Sequence, residues 1–314
     1  MLGQSRRLPQ AEAGLRSGRA IRDEELRSLL SGRLNDPEAQ RRDSLADWDT
    51  AAAGWARART WLRDFAAPVT QWLIEALELQ PGERVLDLAA GPGEAGLLAA
   101  ELILPGGVLI SSDQSEAMVE LARARAGELE LGNVEFRVIN AESIDLPVAS
   151  LDAVMCRWGY MLMVDPSAAL LETRRVLRPG GRVSLAVWGF PSANPWLAIS
   201  SRVIQQHGLA DAPASDTAPG AFALSDPHRL RTMLEEAGFV DIEIDTVDLL
   251  RTAPSFDEWW EMQLDMSPSG AAVRAAPPEV GKAVAVEVEA QLAPYSGGSG
   301  LAVPAQALVA RASA

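Results

Sequence analysis

The sequence holds one cysteine, Cys156, which excludes an intramolecular disulfide framework. With only His207 and His228 beside it, a Cys/His zinc site has too few ligands. Lysine is nearly missing: 27 of the 28 basic residues are arginine, and Lys282 stands alone. No apolar run reaches the ~18–20 residues of a membrane span. The start of the chain lacks the apolar stretch of a secretory signal, so a cytoplasmic protein is expected. Positive charge is also short, with 28 basic against 43 acidic residues and a net charge of −15. Residues 1–50 carry nine of each sign, so the whole excess falls on 51–314. Duplex nucleic acids are bound through a basic face, and this composition offers none. What is present is apolar: 48% of 314 residues, enough to bury the core of one large or two modest domains.

Residues 1–44 are polar, Arg-rich and broken by Gly and Pro, and a loose extension is expected, with a short helix at most around Glu24–Leu30. Residues 45–314 are expected to form one domain. Its first stretch contains Trp48, Trp55, Trp61 and Trp72, and Trp61, Leu62, Phe65, Val69, Trp72, Leu73 and Leu77 recur at helical spacing. One or two amphipathic helices follow from that pattern. From Gly82 onward strands alternate with helices: ERVLDLAA, GGVLISSD, VEFRVINA, LDAVMCRW and GRVSLAVWG are the strands. Such alternation predicts right-handed crossovers and a doubly wound, mainly parallel α/β sheet, the Rossmann-like class. Residues 190–225 read as a Pro/Ala/Ser-rich insertion containing NPWLAISSRVI. A helix follows with Ser225 as its N-cap, then the strand VDIEIDTVDLL. Residues 252–314 add helical pieces and end in QALVARA, expected to return to the sheet as a last antiparallel strand.

The strongest chemical signal is VLDLAAGPG at 85–93, on the first strand and its exit turn. Gly91 and Gly93 let the backbone turn sharply and approach a ligand, and the next helix begins beside them. Gly91–Gly96 also spells G-x-G-x-x-G, and Asp113 ends the following strand about twenty residues on, as in a dinucleotide site. The pattern alone leaves open a nicotinamide or flavin cofactor and another adenosine cofactor. Local chemistry separates them. Asp87 inside the strand suits a cationic ammonium and repels pyrophosphate. Pro92 has no N–H to donate, and Glu94 adds negative charge at the helix entry. A cofactor with adenosine, an amino acid and no phosphate fits better, which describes S-adenosylmethionine.

VLDLAAGPG, SSDQSEAMVELARARA, VINAESIDLP, SLDAVMCRWGYMLM and RRVLRPGGRV stand in the order and spacing of one known group. Over residues 45–250 the chain resembles class I S-adenosylmethionine-dependent methyltransferases, most of all the branch related to the menaquinone/ubiquinone-biosynthesis C-methyltransferases. One departure is Ala89, where that family has the first glycine of its D-x-G-x-G-x-G loop. The resemblance implies that Asp87 and the Ala89, Gly91 and Gly93 backbone face the methionine moiety. It implies that Asp113 accepts the ribose hydroxyls, with Gln114 and Met118 beside the adenosine. Asn140, Ala141 and Glu142 should meet the adenine edge, and Arg157 and Trp158 should lie near the methyl group.

The expected reaction is methyl transfer to a small-molecule acceptor, apolar or phenolic and quinol-like, with no metal. The insertion and the C-terminal additions are the expected acceptor side. No catalytic base stands out; Tyr160, Asp165, His207 and His228 are weighed for it. Asn194-Pro195-Trp196 is read as a helix start. A non-catalytic S-adenosylmethionine-binding relative and a nicotinamide oxidoreductase remain as alternatives.

Overall fold

A computed structural model of the protein describes residues 36–267, 269–298 and 300–314. The helix expected around Glu24–Leu30 lies outside the described residues. The chain divides into two compact units, Met1–Ser44 and Leu45–Ala314. In the first, helix α1 (Pro37–Arg57) begins. The Asp36 carboxylate accepts the Glu38 amide at 3.0 Å, and Pro37 supplies a helical φ at the first position. The expected loose extension is therefore helical from Pro37 on.

The second unit carries the rest of α1 and helix α2 (Arg59–Leu77), the pair that the tryptophan-rich stretch predicts. On α2, Leu62, Ala66, Val69, Leu73 and Leu77 are buried, while Trp61, Phe65 and Trp72 flank that stripe half-buried. Strands follow as β1 (Arg84–Leu88), β2 (Val108–Asp113), β3 (Val134–Val138), β4 (Leu151–Arg157) and β5 (Leu177–Trp188). Helices α3 (Gly96–Leu102), α4 (Glu116–Glu128) and α5 (Pro166–Val176) connect them. Helix α6 (Pro195–Gln206) lies in the insertion, and α7 (Pro227–Glu236) precedes β6 (Val240–Ala253). Its N-cap is Asp226, one residue later than expected, because that carboxylate accepts the His228 amide at 2.9 Å. The C-terminal additions are α8 (Phe256–Met266), α9 (Gly270–Ala275), α10 (Pro278–Leu292), a short β7 (Ser296–Gly297) and β8 (Gly300–Ser313).

The sheet runs β3-β2-β1-β4-β5-β8-β6, with β7 paired to β8. Strands β1–β5 are parallel, and β8 is antiparallel to both β5 and β6. Every residue from Leu151 to Cys156 is buried, as an apolar strand covered on both faces requires. The doubly wound sheet with a returning antiparallel strand is thus as expected. The order reverses at β1, so a crevice opens beyond the carboxyl ends of β1, β2 and β4.

Candidate active site

The turn after β1 is built from left-handed residues: Ala89 has φ 56°, Gly91 55° and Gly93 85°. The two glycines differ in purpose. A Cβ on Gly93 would crowd Ala122 of α4 at 3.0 Å, whereas one on Gly91 would enter open space. Gly91 is thus glycine for its left-handed backbone alone, and Gly93 also seats the loop on α4. Ala89 keeps the left-handed conformation at a cost of ~1–2 kcal/mol. Its methyl group lies over Gly159, where an added Cβ would come within 2.7 Å of Ala89 Cβ and 2.6 Å of Cys156 Sγ.

Asp87 is buried, and its Oδ2 accepts the Gly96 amide at 2.9 Å. Gly96 must be glycine because the Asp87 carboxylate occupies the place of its Cβ. The first amide of α3 is thus held by the protein's own carboxylate. Burial pushes the Asp87 carboxyl up to about 7, against the opposing pull of Arg157 and the Gly96 amide. A carboxylate so poor in compensation gains from any cation placed beside it.

Asp113 ends β2 with one oxygen on each neighbouring loop. Oδ2 accepts the Gly91 amide at 2.9 Å and Oδ1 the Ser115 amide at 3.0 Å. Burial raises its proton affinity, and these amides, with that of Gln114, work against the rise. An ionised carboxylate has about four acceptor positions, so lone pairs remain for a vicinal diol. Ser115 caps α4 by accepting the Met118 amide at 3.2 Å, and its hydroxyl donates to Asp49 Oδ1 of α1 at 2.5 Å. Met118 itself is buried in the first turn of α4.

Asn140, Ala141 and Glu142 form the turn after β3. Asn140 Oδ1 accepts the Glu142 amide at 2.9 Å, and Glu142 Oε1 accepts the Val164 amide at 2.8 Å. That bond ties the turn to the segment leaving β4. Arg157, at the end of β4, is half-buried and donates to Thr70 Oγ1 of α2 at 2.6 Å. Burial pushes its guanidinium down to about 10, and the charges of Asp87 and Glu94 oppose this. Trp158 follows with φ 62°, a left-handed conformation for a bulky residue, and its buried indole Nε1–H has no acceptor. Glu94 is buried beside Arg125 Nε at 3.3 Å and Arg59 Nε at 3.8 Å. The carboxylate acceptors Asp87, Glu94 and Asp113 suit a ribose diol and a cationic amino acid, and they oppose a pyrophosphate.

A family model described as a methyltransferase domain matches residues 79–238. The chain belongs to the methyltransferase domain family. Nocamycin O-methyltransferase of Saccharothrix syringae is 30% identical over 200 residues, 61% of this chain and 71% of that protein. The ubiquinone/menaquinone biosynthesis C-methyltransferase UbiE of Escherichia coli O1:K1 / APEC is 28% identical over 182 residues, 55% of this chain and 72% of that one. Among solved structures, the YcgJ protein of Bacillus subtilis shares the fold at a TM-score of 0.56 and 19% identity, covering 78% of this chain and 97% of that chain. The protein is a class I S-adenosylmethionine-dependent methyltransferase, an enzyme whose cofactor is S-adenosylmethionine.

Three of the side chains weighed as bases in this methyltransferase, Tyr160, Asp165 and His207, have partners in the fold. Tyr160 is buried with its hydroxyl 2.6 Å from Thr173 Oγ1, and burial pushes its proton affinity up. Asp165 caps α5 by accepting the Ala168 amide, and His207 Nε2 meets Glu287 Oε2 at 2.9 Å. Asn194 is a latch: its amide group bonds Gly189, Phe190 and Gln306 of β8, so the Asn-Pro-Trp segment is structural. Burial pushes the Cys156 thiol up to about 12, an inert apolar side chain. Among the described residues there is no metal-binding cluster and no helix long and apolar enough to cross a membrane.

Sequence reasoning missed Arg251. It lies on β6, buried, with its guanidinium carbon 4.4–5.0 Å from the rings of Trp259, Trp196 and Trp61. Burial pushes it down to about 9. The signal was in the strand: Val247, Leu249 and Arg251 recur at every second residue and so point to one face.

Proposed function

We propose that this methyltransferase acts on a small acceptor of apolar or phenolic, quinol-like character, in keeping with the branch related to the menaquinone/ubiquinone-biosynthesis C-methyltransferases. The observation that carries this reading is an aromatic run that starts at Trp158, one residue beyond Arg157. Trp158 stacks on Trp188 at 4.2 Å, Trp188 meets Trp196 at 5.2 Å, and Phe65 touches all of them at 6.0–6.4 Å. A surface of that kind sorts acceptors by flatness and apolar area. The insertion supports the same side, since the Gly220 amide donates to the Met161 carbonyl at 2.9 Å, just past Trp158.

In this reading Asp113 accepts the ribose hydroxyls, with Gln114 and Met118 beside the adenosine and Asn140, Ala141 and Glu142 along the adenine edge. Asp87 and the backbone of Ala89, Gly91 and Gly93 face the methionine moiety, and Arg157 and Trp158 border the methyl group. S-adenosylmethionine supplies a methyl group on a cationic sulfonium, and the group that leaves is a neutral thioether. The chain's part is to bind, orient and exclude water. Such alignment contributes up to ~7–11 kcal/mol of barrier lowering. The engaged Tyr160, Asp165 and His207 favour an acceptor that surrenders its proton without a strong base, which an acidic phenol or enol does.

The test is Asp113→Ala. Each charge-assisted bond contributes roughly 1.5–3 kcal/mol, and ~1.4 kcal/mol is tenfold, so S-adenosylmethionine affinity should fall at least ~10-fold with circular dichroism unchanged. Equal affinity in calorimetric titration removes Asp113 from the site. A parallel screen for methyl transfer to quinols and phenols decides the acceptor class.

A further inference from the structure

Arg251 is a cation in an apolar enclosure. Three indole rings surround it, and its hydrogen bonds go to neutral groups, the Gln263 side-chain oxygen and the Trp259 carbonyl. No carboxylate acts on it among the described residues, burial being the sole cause of its lowered pKa. Ring quadrupoles recover only part of what a desolvated cation loses. Beside it, Trp259 is 1% exposed and its indole Nε1–H has no acceptor; the same is true of Trp158 at 7%. Buried donors are nearly always satisfied, so a positive charge and two idle N–H groups in one aromatic cluster call for an outside acceptor.

The cluster is continuous with the methyl-transfer end of the site. From Trp158 the rings run through Trp188 to Trp196, whose ring lies 4.9 Å from the Arg251 guanidinium. A second path runs from Trp158 through Phe65 to Trp61, stacked at 4.8 Å, and Trp61 also faces Arg251 at 5.0 Å. The neighbouring Glu94 and Asp87 carboxylates lie toward Arg157, which answers their charge. Among the described residues Arg251 has no such carboxylate beside it.

We propose that Arg251, with the Trp259 indole N–H, binds the acceptor as an organic anion on a flat apolar skeleton: a carboxylate or an enolate. This rests on the reading of the aromatic run as the acceptor side. Arg251 is then a specificity-determining residue.

The test uses the full chain saturated with S-adenosylhomocysteine, whose own binding is measured first by calorimetry. Failure of that first binding counts against the cofactor-site reading and is separate from the outcome below. Two pairs of probes are then titrated: 2-naphthoate with 2-naphthamide, and 4-hydroxycoumarin at pH 8 with coumarin. The wild type should bind at least one anion ~10-fold or more tighter than its neutral counterpart, since a buried charge left without its partner costs well over a factor of ten. A preference within the first pair assigns a carboxylate, within the second an enolate. Arg251→Met should abolish the preference and leave S-adenosylhomocysteine affinity unchanged. Should that variant not fold, Trp259→Phe removes the N–H while keeping an aromatic ring and should lower the preference several-fold. Equal binding of acid and neutral probe by the wild type in both pairs, or a preference that survives Arg251→Met, overturns the proposal.

Discussion

At the scale of the residue, the site is paid for in desolvated charge and left-handed backbone. Asp87 carries most of it. Its carboxyl titrates near ~4 in an unfolded chain and at about 7 in the fold. Between those values the folded protein holds a proton that the unfolded chain releases, so this group's contribution to stability falls as pH rises and is lost above 7. A bound cation restores the ionised form. S-adenosylmethionine affinity should therefore weaken as pH drops below about 7, with proton release on binding, and calorimetry in buffers of different ionisation heat measures it. Asp87→Asn should bind poorly with no such pH dependence. At pH 8 its ligand-free melting temperature should rise by at least ~2 °C, the shift of about 1 kcal/mol in a chain of this size. A lower melting temperature would mean that ionised Asp87 stabilises the fold.

Ala89 and Gly159 form a pair in the same sense. Gly159→Ala places a methyl group within 2.7 Å of Ala89 Cβ and 2.6 Å of Cys156 Sγ, and the loop after β1 must shift. The expected cost is ~1–3 kcal/mol of stability, that of overpacking, with weaker S-adenosylmethionine binding. Ala89→Gly in the same chain should recover only part of it, because the sulfur remains. Full recovery in a double-mutant cycle would exclude Cys156 from the clash.

At the scale of the element, the turn-rich stretch between α6 and α7 is the least regular part of the second unit. It is anchored at its end by Gly220 on Met161 and by the buried Ala223 and Leu224. Residues 209–218 lie between those anchors and α6. Replacing them with a Gly/Ser linker should leave S-adenosylmethionine binding unchanged and abolish turnover, since long loops of compact domains are functional when they are not merely linkers. Full activity in the replaced chain assigns this stretch no part in acceptor binding.

At the scale of the whole molecule, the last strand is not an ornament at the edge. β8 lies between β5 and β6, with Arg182–Trp188 paired on one side and Val240–Ala253 on the other. Removing it strips hydrogen bonds from two strands and takes the fully buried Val303, Ala307, Val309 and Ala310 out of the core. A chain truncated after Gly297 should show no cooperative thermal transition. A sharp melt in that truncation would show that the parallel half folds alone.

The sequence by itself determined the elements and the binding turn. Helical spacing from Trp61 to Leu77, the alternation from Gly82 onward and the glycine turn before α3 are local signals, carried by neighbours within a few residues. Asp113 was legible because a strand end and a glycine loop in this order meet at a known crevice. Tertiary structure alone decided the rest. It brought Gly91 and Ser115 onto one carboxylate, gave Gly96 to Asp87, and set Gly159 under Ala89. It placed Arg251 of β6 among Trp61 of α2, Trp196 of α6 and Trp259 of α8. Most of those partners are far apart along the chain, and no periodicity reports which distant faces meet. Charge that is costly to bury becomes visible only when packing has removed the water around it.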